Sequence, residues 1–339
     1  MLSESQRGMA EISAENFFDL KHWQKIQNLF AEIIGANLWP VNIQGTPLAA
    51  PSKICTYCSD LHSSSYTSTR LTECALKAFQ AASQQNETLY QCQHLATYFM
   101  VPVKFRTETP AFIIGGPLLL GKRETKKRYQ HLCRKLQVDS ETFFDWITEL
   151  RIYSHHGINL IINFLKELNH LFLSEKNEQL HSAHSHPEPS GSSLEQYAYF
   201  LANSLLELAS QMVGADSGSV LLVDPSKKSF FIQSSRGLNQ KILKKKILPL
   251  KESVAGWVFS NKKAILIGPQ SELQVPQSIL KRPYIKSSMI LPLQFQDRVY
   301  GVFCLNSKTE NDRFNEGSLS FLNRLGNLAS AALARSVLN

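Results

Sequence analysis

ICTYCSDLHSSSYTSTRLTECALKAFQAASQQNETLYQCQHLATYFMVPV, residues 54–103, holds four of the six cysteines of this 339-residue chain. Cys55 and Cys58 stand two residues apart in a stretch rich in Ser, Thr and Asp, which reads as a loop. Leu71, Cys74 or Ala75, Ala78 and Ala82 then repeat at helical spacing and put Cys74 on an inward face. Cys92 closes an apolar run over 88–92 that reads as a strand, with His94 just beyond it, and 99–105 reads as a further strand. Loop, helix and strand end can all face one pocket, so residues distant along the chain are expected to meet there.

Working outward, 17–34 carries Trp23, Ile26, Phe30 and Ile33 or Ile34 at spacings of three and four, the pattern of a helix with one buried stripe. Gly35 ends it. A strand over 38–43 and a return strand over 46–50 are expected about Gln44-Gly45. Beyond the cysteines, 111–120, interrupted by Gly115-Gly116-Pro117, reads as a strand that ends in a bend. A basic helix over 124–136, a helix capped by Asp139 or Ser140 and a long apolar-striped helix over 156–173 follow.

Composition shifts at 174–193, SEKNEQLHSAHSHPEPSGSS, to small polar residues with Pro187 and Pro189. This is a flexible linker. His181, His184 and His186 offer imidazoles there, but ordering a mobile polar segment costs entropy before any metal bond forms. The expected organisation is 1–173, a linker over 174–193, and a second domain over 194–339.

The second domain opens with an amphipathic helix bearing Leu194, Tyr197, Leu201, Leu205, Leu208 and Met212. Hairpins follow across Asp224-Pro225-Ser226 and Gln296-Asp297, with a short helix over 253–260 and a strand over 264–267 between them. The last helix starts at an Asn315 cap, with Phe314 placed to staple onto Leu319, and carries Gly326, Ala329 and Ala332 on one face, where another helix can approach closely.

Apolar residues are 43% and charged residues 19%, an ordinary globular balance that excludes wholesale disorder. No apolar run approaches the roughly 20 residues of a spanning helix, and the start lacks the layout of a signal peptide. The expected setting is the cytoplasm, where cysteines sit as thiols or metal ligands rather than disulfides. The net charge of +8 is concentrated at 121–135 and 241–251, runs that read as solvated faces. Charge alone yields salt-sensitive, nonspecific affinity for nucleic acid or an anionic surface, and neither half shows a helix-turn-helix.

Across 194–338 the chain resembles a GAF domain. The resemblance rests on Gly256-Trp257-Val258 before a polar turn, Pro292-Leu293 before a hairpin, Gly301-Val302 after it and Phe314 opening a helix. It implies a five- or six-stranded antiparallel sheet, a ligand pocket on one face and terminal helices that pair in a homodimer. The Asn-Lys pair of the cyclic-nucleotide version is split here, because Ser307 separates Asn306 from Lys308. The lone cysteine, Cys304, falls on a buried strand and reads as a small core residue rather than a bilin attachment point or a sulfoxide-reducing thiol.

Over about 29–173 the chain resembles the sensory domain called PocR. Cys55 after the first hairpin, Cys74 in a helix, Tyr90-Gln91-Cys92 at a strand end, Pro102-Val103, Gly115-Gly116 and QVDSETFFDWITEL carry the resemblance. It implies a PAS- or GAF-like relative that binds small hydrocarbon-type metabolites, commonly beside a transcriptional or kinase output. The family has Cys-His with a glycine two positions on, where this chain reads Cys92-Gln93-His94-Leu95. The fold class is thus α+β, two antiparallel-sheet domains flanked by long helices.

Two chemistries remain open for the cysteine segment. Cys55, Cys58, Cys74 and Cys92 form a soft set suited to Zn or an iron–sulfur cluster. Alternatively Cys55, Cys74, Cys92 and His94 line a pocket for a small organic ligand, with Cys74 acting as a small hydrophobe. No third member completes a Cys–His catalytic set, and no phosphate loop, carboxylate pair or HExxH run appears, so no catalytic residue is assigned and the protein is not expected to be an enzyme. The expected function is a signal sensor. Its first domain takes up the input, and its dimerising second domain relays it to a regulatory partner protein such as a kinase or transcription regulator. The alternative from another class is a basic scaffold with degenerate pockets.

Overall fold

The computed structural model describes residues 20–52, 54–55, 57, 73–85, 88–105, 108–168, 191–224, 229–238, 247–250, 253–268, 285–309 and 314–337. Cys58, the three linker histidines and most of the 241–251 basic run lie outside them. The chain divides into two compact units, Met1–His186 and Pro187–Asn339. Each is a mixed fold of helices on an antiparallel sheet.

The first unit runs α1 (Leu20–Ile34), β1 (Asn37–Asn42), α2 (Glu73–Gln85), β2 (Leu89–Gln91), β3 (Thr97–Phe105) and β4 (Glu108–Leu120). It continues through α3 (Lys126–Leu136), α4 (Ser140–Glu149), β5 (Ile152–Tyr153) and α5 (His155–Glu167). The sheet order is β1-β4-β3-β2, with β5 added in parallel on the last residues of β4. Side chains alternate between the faces. Trp39, Val41, Tyr98, Met100 and Ile114 point to one face, where they pack with α2, α3 and α4. On the other face α1 packs on β1 and α5 on β3, and the rings of Phe30 and Phe164 meet at 5.7 Å.

The α1 stripe is buried as its spacing predicts: Trp23, Ile26, Phe30, Ile33 and Ile34 all face inward. Asp139 caps α4 by accepting from the Thr142 N–H at 3.0 Å. In α3 the basic run is a solvated face, with Lys126, Lys127, Arg128, Arg134 and Lys135 exposed while Tyr129, Leu132 and Cys133 turn inward.

One local expectation is corrected. The return strand over 46–50 is reduced to a single bridge between Val41 and Pro47. β4 runs to Leu120 as expected, and the interruption at Gly115-Gly116-Pro117 is local. Its register on β3 shifts there, Phe99 pairing with Gly115 and Thr97 with Leu118. The extra residue on β4 is a bulge, which absorbs a proline that cannot donate to the ladder. Gly115 is required by its partner, since an added Cβ would stand 2.0 Å from Cζ of Phe99.

The second unit runs α6 (Gly191–Val213), β6 (Ser217–Val223), β7 (Ser229–Arg236), β8 (Ile247–Pro249) and α7 (Val254–Asn261). β9 (Ile265–Ile267), β10 (Ser287–Phe295), β11 (Arg298–Ser307) and α8 (Glu316–Val337) complete it. The six strands are ordered β8-β7-β6-β11-β10-β9, every neighbour antiparallel. α6 packs on β7 and β6, and α8 packs on β10 and α6. On another layer α7 brings Val258, Trp257 and Phe259 against Leu221, Phe230, Ile290, Val302 and Cys304. Gly256 is forced by that approach, because a Cβ there would lie 1.5 Å from the Leu250 carbonyl oxygen.

The small-residue face of α8 is used inside the unit: Ala329 and Ala332 are buried, and Gly326 faces Leu293 of β10. Among the described residues no helix is long and apolar enough to cross a membrane.

Candidate functional site

Three elements of the first unit converge on one point. α2 turns Cys74 inward beside Ala75 and Ala78, as its helical spacing predicts. Cys92 follows β2. From there Cys92 to Ala96 makes a tight connection into β3, closed by Cys92 N–H to Ala96 carbonyl at 2.8 Å and Leu95 N–H to Cys92 carbonyl at 3.0 Å. This is a three-residue hairpin loop, Gln93-His94-Leu95, whose last position takes the left-handed conformation. Leu95 occupies it at φ 65°. The turn folds the His94 side chain back under the sheet, where the residue is 1% exposed.

The metal-ligating atoms of Cys74, Cys92 and His94 all lie within 4.8 Å of one another. Cys74 Sγ is 3.4 Å from His94 Nδ1. All three residues are buried, and the two cysteines belong to the apolar cluster built on Trp39, Tyr57, Tyr98 and Met100. The hydrogen bond to Cys74, followed by burial, pushes the Cys92 thiol far above its ordinary range, against a smaller opposing pull from His94. Burial in so apolar a place disfavours the charged thiolate form of Cys92.

The loop before α2 is fastened to this centre from two sides. Asn37 of β1 accepts from the N–H groups of Ile54 and Cys55 at 2.6 and 3.1 Å and donates to the Cys55 carbonyl at 2.9 Å. The Tyr57 hydroxyl donates to the His94 carbonyl at 2.6 Å. Cys55, half-buried, packs against the same apolar cluster.

Of the residues expected to form the site, Cys74, Cys92 and His94 are brought together. Cys55 borders their apolar cluster but is not a member of the close group of ligating atoms, and Cys58 is not described. The sequence reading placed His94 with Cys55, Cys74 and Cys92 around an organic-ligand pocket, but left it out of the metal set of Cys55, Cys58, Cys74 and Cys92. The hairpin between β2 and β3 is what brings His94 beside Cys92. Cys133, on α3, is buried in the same apolar cluster, and burial raises its thiol.

A cleft of about 330 Å³ lies elsewhere on this unit, lined by Arg123, Glu124, Lys126, Tyr129, Phe144, Ile147 and Thr148. Ring contacts run from it to the centre. Tyr129 meets Phe143 at 5.8 Å, and Phe143 meets Tyr57 at 5.9 Å.

In the second unit Asn306 is buried and takes a 2.8 Å hydrogen bond from the Ser288 hydroxyl. Asp216 accepts from the Lys308 N–H at 2.7 Å. Both residues serve the sheet here. Cys304 is a buried strand residue on the α7 side.

Comparison with known proteins agrees with this division. The model of the sensory domain found in PocR matches residues 16–177, and that of the GAF domain matches 201–334. No curated protein matches the chain. Among solved structures, the GAF domain of an Acinetobacter phosphoenolpyruvate-protein phosphotransferase is similar at 19% identity, covering 48% of this chain and 96% of its own, with a TM-score of 0.36. The second GAF domain of DevS from Mycobacterium smegmatis is 15% identical over 42% of this chain and 96% of its own, with a TM-score of 0.35. The type II free methionine-R-sulfoxide reductase from Thermoplasma acidophilum is 10% identical over the same shares, 42% and 96%, again at 0.35. The chain joins two signal-sensing modules of known families, a PocR sensory domain followed by a GAF domain.

Proposed function

We propose that this protein is a non-enzymatic cytoplasmic sensor whose first unit takes its input at the Cys74–Cys92–His94 centre. Its second unit pairs copies of the chain and passes the input to a regulatory partner protein. The observation that carries the reading is the convergence of two thiols and an imidazole, from a helix and a hairpin loop, in one buried apolar cluster.

Such a cluster responds to whatever binds or oxidises it, because its members have little room to move independently. An event there changes the balance between α2 and the β2–β3 hairpin. The usual scale of coupling between two sites in a protein is about 1 to 3 kcal/mol. The half-exposed rings of Tyr199 and Phe200 on α6 supply apolar surface of the kind that pairing helices cover.

Hydrogen exchange on the full chain tests the relay, comparing the wild type with Cys92→Ser. The reading expects exchange rates to change several-fold in Gly191–Val213 or Glu316–Val337 as well as around the substituted residue. Changes confined to the first unit would contradict it.

A further inference from the structure

We infer that Cys74, Cys92 and His94 are three protein ligands of a single zinc ion. This deepens the sensor reading and rests on it for the role of the site, though not for its chemistry. The argument begins with spacing. A tetrahedral zinc with Zn–S bonds of about 2.3 Å and Zn–N bonds of about 2.0 Å holds a sulfur and a nitrogen ligand about 3.5 Å apart, and two sulfurs about 3.8 Å apart. Cys74 Sγ and His94 Nδ1 stand at 3.4 Å, and the three donors lie within 4.8 Å of one another. One ion of that size fits among them after side-chain adjustments of up to about 1 Å.

Donor chemistry selects the metal. Two thiols and an imidazole are soft or borderline ligands, so calcium and magnesium, which take oxygen, are excluded. An iron–sulfur cluster spreads four ligands around several iron and sulfide ions, whereas the two thiols and imidazole here lie within 4.8 Å of one another, the spacing of ligands on a single ion. Zinc with two thiolates and a neutral imidazole carries no net charge. That suits surroundings made of Trp39, Tyr57, Tyr98 and Met100. Among the described residues three donors converge, and a fourth ligand completes a tetrahedral zinc.

The supporting structure points the same way. The His94 backbone is held by the hydroxyl of the buried Tyr57, and Leu95 beside it adopts a conformation unfavourable to a non-glycine residue. Ligands from α2 and from the β2–β3 loop would be cross-linked by the ion, which therefore couples the two elements.

The test uses full-length protein, reduced and stripped of metal, and titrates it with Co²⁺ followed by Zn²⁺. One equivalent of Co²⁺ is expected to produce thiolate-to-metal charge-transfer absorption with tetrahedral ligand-field bands, and one equivalent of Zn²⁺ to abolish them. Cys74→Ser, Cys92→Ser and His94→Gln are each expected to weaken binding at least about tenfold, with Cys304→Ser unchanged. The wild-type titration needs no variant to fold. An absence of these bands in wild type with its thiols counted and reduced overturns the inference, and so do unchanged bands in all three ligand variants. If the bands are absent while Cys92→Ser still alters exchange in α6, the zinc site fails and the sensor reading stands. If the bands appear and exchange in the second unit does not respond, zinc is held but not read.

Discussion

Leu95 gives the site its sharpest prediction, because the usual order of two substitutions should invert there. Glycine is ordinarily less stable than alanine within regular structure by roughly 0.5 to 1 kcal/mol. At φ 65°, however, a residue with a Cβ pays a local conformational cost of about 1 to 2 kcal/mol that glycine does not. Leu95 is half-buried and packs against the apolar cluster. Both truncations therefore lose its burial, roughly 1 to 2 kcal/mol. Leu95→Ala keeps the unfavourable conformation as well. Leu95→Gly removes it, while giving back part of the gain, about 0.4 to 1 kcal/mol, in unfolded-chain entropy. Leu95→Gly should thus exceed Leu95→Ala in stability by about 0.5 to 1 kcal/mol. Urea unfolding followed through the buried Trp23 and Trp39 of the first unit measures the difference. If Leu95→Ala is the more stable by a similar margin, the loop does not take this turn, and the inward placement of His94 fails with it.

Asn37→Ala removes the acceptor and donor that hold Ile54 and Cys55, and should cost about 1 to 3 kcal/mol and speed thiol labelling of Cys55 in the folded protein. Gly115→Ala should be severely destabilising in the wild type and less so beside Phe99→Ala, a non-additivity that a double-mutant cycle reads directly. Asp216 is held below its ordinary carboxylate value of 3.8, chiefly by the Lys308 N–H and also by the Ser307 and Thr309 hydroxyls. The stability it adds is therefore present above that value and is lost as pH falls through its lowered folded value. Asp216→Asn should be the less stable protein at neutral pH, with the gap closing in acid, as a pH series of unfolding midpoints would reveal.

Much of the architecture is legible from local pattern. The Trp23–Ile34 stripe, the Asp139 cap and the Arg298–Ser307 strand follow from spacing and terminal chemistry that act within a few residues. What sequence reading misses is decided elsewhere in the chain. The interruption at Pro117 is readable, but its form is not: the bulge opposite Thr97–Phe99, which carries the strand past the proline, is set by pairing with β3. The 46–50 run has strand composition but finds only one bridge to β1.

The centre divides in the same way. Helical spacing turns Cys74 inward and the strand end positions Cys92, so both are readable. His94 joins them through a turn in which Leu95 takes the left-handed conformation. No local propensity announces that a leucine will do so, since its packing on the cluster is a tertiary gain.

X-ray absorption at the zinc edge, on full-length protein reconstituted with one equivalent of the metal, tests most directly whether these distant residues form one donor set. The account predicts at least two sulfur ligands near 2.3 Å together with at least one imidazole nitrogen near 2.0 Å, with one sulfur fewer in Cys74→Ser. A first shell of oxygen and nitrogen alone, or one that keeps every sulfur after that substitution, would contradict it.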